Sequence, residues 1–162
     1  MVSFGSLLIA LLVALPAAPS HDLARITEDR RLLEMFGNMV LRSLITAPGV
    51  EIAAFVVRDT QGNLHCLLWP ATSNYRSHAF HGVVPGHVVA LVHTHPPKAD
   101  EKPSEEDIAT ARRSGLPVYV LTRRYIYAAD PASGAIVPVI DGRNWVGEAV
   151  HDRNCVCTQL AR

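Results

Sequence analysis

The 162 residues, 49% hydrophobic with 15 basic and 15 acidic side chains, have the size and balance of one globular domain that can bury a core. A formal net charge of zero, without long runs of like charge, gives no global field to draw the chain onto nucleic acid or an anionic membrane. Nucleic acid is therefore not an expected partner.

The first twenty residues stand apart. Phe4 to Ala18 is apolar except for Ser6 and is followed by Pro19 and Ser20, the pattern of a secretory signal peptide. The apolar stretch is shorter than the about 20 residues of a spanning helix, and Pro16 would break a helix end. Residues 1–20 are read as a leader cleaved after Ala17, Ala18 or Ser20. Because no Lys or Arg precedes the stretch, retention as an uncleaved anchor is the alternative. No cysteine lies near the cleavage region, which excludes a lipoprotein anchor. Once the leader is removed, no integral membrane segment is expected. Export, periplasmic or secreted, would place Cys66, Cys155 and Cys157 in an oxidising compartment, with one disulfide and one leftover thiol. The spacing leaves the pairing open, and a zinc half-site at Cys155 and Cys157 is the weaker alternative.

Asp22 to Thr46 carries Leu23, Ile26, Leu33, Phe36, Val40, Leu44 and Ile45 close to helical spacing, and Ala47-Pro48-Gly49 stops it. This predicts one helix with a buried stripe. Val50 to Arg58 reads as a strand, Asp59 to Asn63 as a turn, and Leu64 to Trp69 as the returning strand of a hairpin. Pro70 to Gly86 reads mostly as loop. His87 to His93 holds the run Val88-Val89-Ala90-Leu91-Val92, expected of a central strand buried on both faces. His95 to Lys102 is a loop, and Ser104 to Arg113 a helix ending at Gly115. Val118 to Thr122 pairs with Tyr125 to Ala128 as a hairpin. Asp130 to Gly134 then turns into a strand at Ala135 to Ile140, and the tail beyond Asp141 receives no assignment. The order is that of one α/β domain over residues 21–162, with its core at about 22–140 and neither repeat nor linker.

Residues i and i+2 of a strand project to one side about 7 Å apart. Imidazoles leaning together from such positions reach one metal at about 2.0–2.1 Å. His93 and His95 meet that condition at the C-terminal edge of the buried strand, where sheet proteins commonly place sites. Asp107, one turn into the next helix, offers a third ligand. Two imidazoles and one carboxylate leave a fourth tetrahedral position open, as in catalytic rather than structural zinc. The same segment also reads as a helix cap, with Ser104 at the N-cap and Glu105, Glu106 and Asp107 favoured by the helix dipole. His78, His81 and His87 lack a nearby carboxylate and read as surface or substrate-facing residues. His65 is expected on a solvated face, and Trp69 and Trp145 are expected to pack.

Together, His93-Thr94-His95-Pro96, a loop, and Ser104-Glu105-Glu106-Asp107 resemble the JAMM motif of the MPN (JAB) domain zinc metallopeptidases. Glu51-Ile52-Ala53-Ala54-Phe55-Val56-Val57 is similar to the strand that carries the family's glutamate. The continuation Arg58 to Asn63 is similar to the hairpin of secreted bacterial members. The resemblance runs from about residue 22 to 140. It implies a mixed sheet flanked by helices, in a layout related to the cytidine deaminases. It further implies zinc on His93, His95 and Asp107, Glu51 as general base, and Ser104 helping to hold an oxyanion. The implied reaction is cleavage of an amide bond in a peptide, an isopeptide or a crosslinked cell-wall peptide. A non-catalytic MPN-like domain that binds a protein partner is the alternative. A deaminase would need a P-C-x-x-C segment, which is absent. Two features depart from the family pattern: eight residues, one more than usual, separate His95 from Ser104, and Ala53 and Ala54 stand where glycine is frequent.

Overall fold

The structure, a computed structural model, describes residues 22–45, 50–70, 83–97, 99–142 and 144–150. Its strands are β1 (Ala53–Arg58), β2 (Leu64–Leu68), β3 (His87–Thr94), β4 (Val118–Leu121), β5 (Ile126–Ala129) and β6 (Ile136–Ile140), and its helices α1 (Asp22–Arg25), α2 (Arg30–Ile45), α3 (Glu105–Ser114) and α4 (Trp145–Ala149). The strands form one sheet in the order β2-β1-β3-β4-β5-β6. All neighbours are antiparallel except β3 and β4, which run parallel and are joined through α3. The turn between β1 and β2 forms because Asp59 Oδ1 accepts the backbone N–H groups of Gln61 and Asn63, while Gly62 takes the left-handed position at φ 89°.

Alternation along the strands divides the core into two layers. On one face Ala90 and Val92 of β3, Tyr119 and Leu121 of β4, and Ile126 and Ala128 of β5 pack under Leu32, Phe36, Met39 and Val40 of α2 and Trp145 of α4. On the other, Val118, Ala129 and Leu91 pack under Ala111 and Ile108 of α3. The central strand is thus covered on both sides, as its apolar run predicts. The α/β architecture, a mixed sheet flanked by helices, is the one that the resemblance implies.

Two expectations are corrected, and the unassigned tail gains a helix. The first helix is broken: a turn spans Ile26 to Glu28, and α2 restarts because Asp29 Oδ1 accepts the N–H groups of Arg31 and Leu32. Ile26 remains buried across the break, and the stripe of α2 is Leu32, Phe36, Met39, Val40 and Ser43, with Ile45 75% exposed. Glu51 and Ile52 lead into β1 rather than lie within it. The tail forms α4, fastened where Trp145 Nε1 donates to the Thr122 carbonyl at 3.1 Å. Trp145 packs in the core, and Trp69 lies against Phe55 with ring centroids 5.0 Å apart. The leader, the Ala47-Pro48-Gly49 stop, His78, His81, most of the loop from Pro70, and any pairing with Cys155 or Cys157 lie outside the described residues. No helix among the described residues is long and apolar enough to cross a membrane.

Candidate metal centre

The parallel step from β3 to β4 sends the chain away from the C-terminal end of β3 into the loop that leads to α3, which opens space above that strand end. His93 is the penultimate residue of β3 and His95 follows the strand. Period two puts Leu91, His93 and His95 on the face that α3 covers and turns Thr94 into the opposite layer, where it is 0% exposed. Thr94 Oγ1 accepts the Ile52 N–H at 2.9 Å, and the Thr94 N–H donates to the Ile52 carbonyl at 3.0 Å. The antiparallel register sets Ala53 opposite His93, which carries Glu51 to the level of His95. Thr94 therefore clamps the segment that delivers Glu51. In the sequence Thr94 reads only as part of the motif, with no role of its own, although alternation from Ala90 and Val92 puts it on their buried face.

Four side chains converge above the clamp. His93 Nε2 lies 2.8 Å from Asp107 Oδ1, and His93 Nδ1 lies 3.6 Å from Glu51 Oε2. His95 Nε2 lies 3.9 Å from Asp107 Oδ2, and the two imidazole rings are 4.9 Å apart. One donor atom each from Glu51, His93 and His95 lies within 4.8 Å of the others, a group that could hold a metal ion. The His93, His95 and Asp107 side chains are 15%, 8% and 13% exposed and that of Glu51 31%, so Glu51 is the member most open to solvent.

The loop between His95 and Ser104 has its own task. His95 Nδ1 donates to the Asp100 carbonyl. A carbonyl only accepts, so this contact places the proton on Nδ1 and leaves the Nε2 lone pair facing the cluster. The loop reaches this position through turns in which the Ala99 N–H donates to the Pro96 carbonyl and the Lys102 N–H to Asp100 Oδ1. The eight-residue spacing is accommodated here, and Asp100 is a second residue that motif reading had not singled out.

Asp107 combines the two readings of its segment. Its Oδ2 accepts the Ser104 N–H and hydroxyl, both at 2.7 Å, while the Asp107 N–H donates to Ser104 Oγ, completing a capping box. The other oxygen, Oδ1, is left for His93. Charge follows this geometry. Burial pushes the Asp107 carboxyl up, but His93 and Ser104 outweigh it and hold the group well below the usual carboxylate range. Burial raises Glu51 too, and its hydrogen bond and charge contacts with His93 and His95 bring it below its ordinary value. At His93 burial acts downward, and Asp107 and Glu51 overcome it, raising the imidazole to about 9.

The donor set suits zinc, which binds imidazole nitrogen and carboxylate oxygen. The group whose donor atoms all lie within 4.8 Å of one another is Glu51, His93 and His95; Asp107 meets the histidines with different oxygens, Oδ1 at 2.8 Å from His93 and Oδ2 at 3.9 Å from His95. The family model for prokaryotic homologs of the JAB domain matches residues 47–133, just over half of the chain and a span that includes Glu51, His93, His95, Ser104 and Asp107. The chain belongs to this family. No curated protein and no solved structure gives a significant match. Within this JAB domain the remaining described histidines stand apart from the cluster. His65 is exposed on the hairpin with Nε2 2.8 Å from Asp59 Oδ2, and His87 is exposed at the start of β3.

Proposed function

We propose that this JAB domain is an exported, zinc-dependent hydrolase that cleaves an amide bond in a peptide or cell-envelope substrate. The observation that carries the reading is the grouping of Glu51, His93 and His95 within 4.8 Å, with the Asp107 carboxylate 2.8 Å from His93 and 3.9 Å from His95. Zinc bound there would supply Lewis acidity and bring the pKa of water to about 7. His93, His95 and Asp107 would hold the ion. Glu51 lies on the Nδ1 side of His93, outside that trio, and is ionised at neutral pH because its pKa is lowered. It would take a proton from water and return it to the leaving amine. Ser104 would support an oxyanion by turning its hydroxyl from Asp107 Oδ2, an oxygen that the Ser104 N–H continues to satisfy.

The test is metal content followed by turnover. The mature protein supplied with zinc should hold one ion per chain, and a His93→Ala, His95→Ala double variant should hold none. Glu51→Gln should keep the metal and lose hydrolysis of a peptide mixture drawn from cell envelopes. Absence of stoichiometric zinc in the unaltered chain would overturn the hydrolase reading in favour of a partner-binding domain. Export is tested by the amino terminus of protein recovered outside the cytoplasm, expected after Ala17, Ala18 or Ser20.

A further inference from the structure

Two strands away from the histidines, the same face of the sheet carries a pair of tyrosines. His93 is opposite Val120 in the parallel ladder, and Val120 is opposite Tyr127 in the antiparallel one. The His95 N–H donates to the Leu121 carbonyl and the Thr122 N–H to the Tyr125 carbonyl, which sets Tyr125 level with His95. Strands lie about 4.8 Å apart, so the tyrosines stand about 10 Å from the histidines. Ile126 and Ala128 of β5 are buried in the layer beneath α2, which turns Tyr125 and Tyr127 to the histidine side. Both are partly exposed, and their rings stack with centroids 5.6 Å apart and planes 26° from parallel.

Exposed carboxylates frame this aromatic surface. Asp141 directly follows Ile140, which pairs with Ile126, so it lies beside Tyr125 at the sheet margin. Asp100 belongs to the loop held against His95, and Glu101 follows it. After burial, Asp141, Tyr125, Glu101 and Asp100 push the Tyr127 phenol up, so the field of these groups reaches the ring. Arg123, in the turn before Tyr125, lines a groove with Leu41 and Leu44 of α2 on the opposite side of the sheet. Lys102 and Arg124 are the exposed cations of the adjoining segments.

We propose that Tyr125 and Tyr127, framed by Asp100, Glu101 and Asp141, form a subsite that selects peptide substrates by a cationic side chain. A lysine, arginine or diamino acid head is attracted to the negative faces of the phenol rings, and the carboxylates add long-range attraction. An extended peptide advances about 3.3 Å per residue, so a 10 Å offset sets the selected residue about three positions from the scissile amide. The proposal rests on the hydrolase reading for the meaning of that offset, and the binding test below separates the two.

Fluorescein-labelled hexapeptides of alanine with one central lysine, norleucine or glutamate are titrated with the mature chain carrying Glu51→Gln, with and without zinc, and read by anisotropy. The lysine peptide should bind about tenfold more tightly than the norleucine peptide, with glutamate weakest. Replacing both tyrosines by leucine should bring lysine and norleucine within about twofold at unchanged zinc stoichiometry, while Tyr127→Phe should retain the preference. Asp141→Asn, at an exposed position, should weaken the preference without relying on a core change. Equal binding of lysine and norleucine, no binding of any peptide, a glutamate preference set by Lys102 and Arg124, or a lysine preference that survives the leucine variant would each overturn the subsite. Zinc binding without lysine preference removes the subsite alone. Lysine preference without stoichiometric zinc removes the hydrolase reading alone.

Discussion

Raising pH from 7 to 9 should tighten zinc binding by at least about 100-fold, because His93 must lose a proton before it can act as a ligand. In the metal-free pocket, burial opposes the charge on His93, but Asp107 and Glu51 hold its pKa at about 9. Zinc binding at pH 7 therefore displaces a proton that is two pH units below its release point, a penalty of about 3 kcal/mol at 1.36 kcal/mol per unit. His93 alone should raise affinity about tenfold per pH unit over this interval and cease to contribute above pH 9, with deprotonation of the bound water adding to the slope. Competition against a chelator of known proton affinity measures the slope, and calorimetry in two buffers of different ionisation enthalpy counts the protons, expected at pH 7.5 to be about one from His93 and most of another from the bound water. Folding of the metal-free protein should respond in the opposite sense. A raised pKa contributes stability that is complete below the unfolded value of about 6.5 and is lost as pH rises through about 9. That loss is about 3 kcal/mol at most, and the lowered pKa values of Asp107 and Glu51 express the same contacts, so they are not added to it. A zinc affinity independent of pH between 7 and 9, with no proton released, would refute the charge-compensated pocket.

Further expectations concern groups around the cluster. Thr94→Val should leave the Ile52 N–H without its side-chain acceptor and cost about 1–3 kcal/mol in urea unfolding. Thr94→Ser retains an oxygen and should recover most of that stability together with zinc affinity. Ser104→Ala should cost about 1 kcal/mol of stability through loss of the cap. It should also weaken zinc binding, because Asp107 Oδ2 keeps only the backbone donor. Gly86→Ala should destabilise the start of β3 by more than about 1 kcal/mol, since φ is 115° and a Cβ would meet the Arg58 carbonyl oxygen at 2.5 Å. Thermal unfolding reads this last effect, and an unchanged midpoint would count against the close approach of Gly86 to β1.

Elements whose signals are local could be read directly from the chain. The apolar run from Val88 to Val92 marks β3 because a strand covered on both faces loses its alternation. Ser104 and Gly115 bound α3 because both termini use short-range chemistry, a side-chain cap at one end and a left-handed residue at φ 67° at the other. The break after α1 escaped because Ile26 and Leu33 keep helical spacing across it, while Asp29 takes two backbone donors with one carboxylate oxygen. Thr94 and Asp100 escaped for a different reason. The first bonds a residue 42 positions earlier, across a strand pairing that hydrophobic periodicity does not encode, and the second acts through its carbonyl, so its side chain carries no sign of the role.

The relation between the cap and the ligand set explains how one extra loop residue can leave the cluster assembled. Were Asp107 aimed by the loop from Pro96 to Pro103, a change in loop length would propagate to the carboxylate. Instead Ser104, only three residues before it, binds Oδ2 through both its N–H and its hydroxyl, so the orientation is fixed from inside the first turn of α3. Helix geometry then decides which oxygen faces His93. The loop is left with a separate function, offering the Asp100 carbonyl to His95 Nδ1. Each histidine is consequently oriented by a different structure, His93 by a helix cap and His95 by a loop carbonyl. A change in loop length should therefore disturb His95 first and leave the 2.8 Å contact between His93 and Asp107 in place.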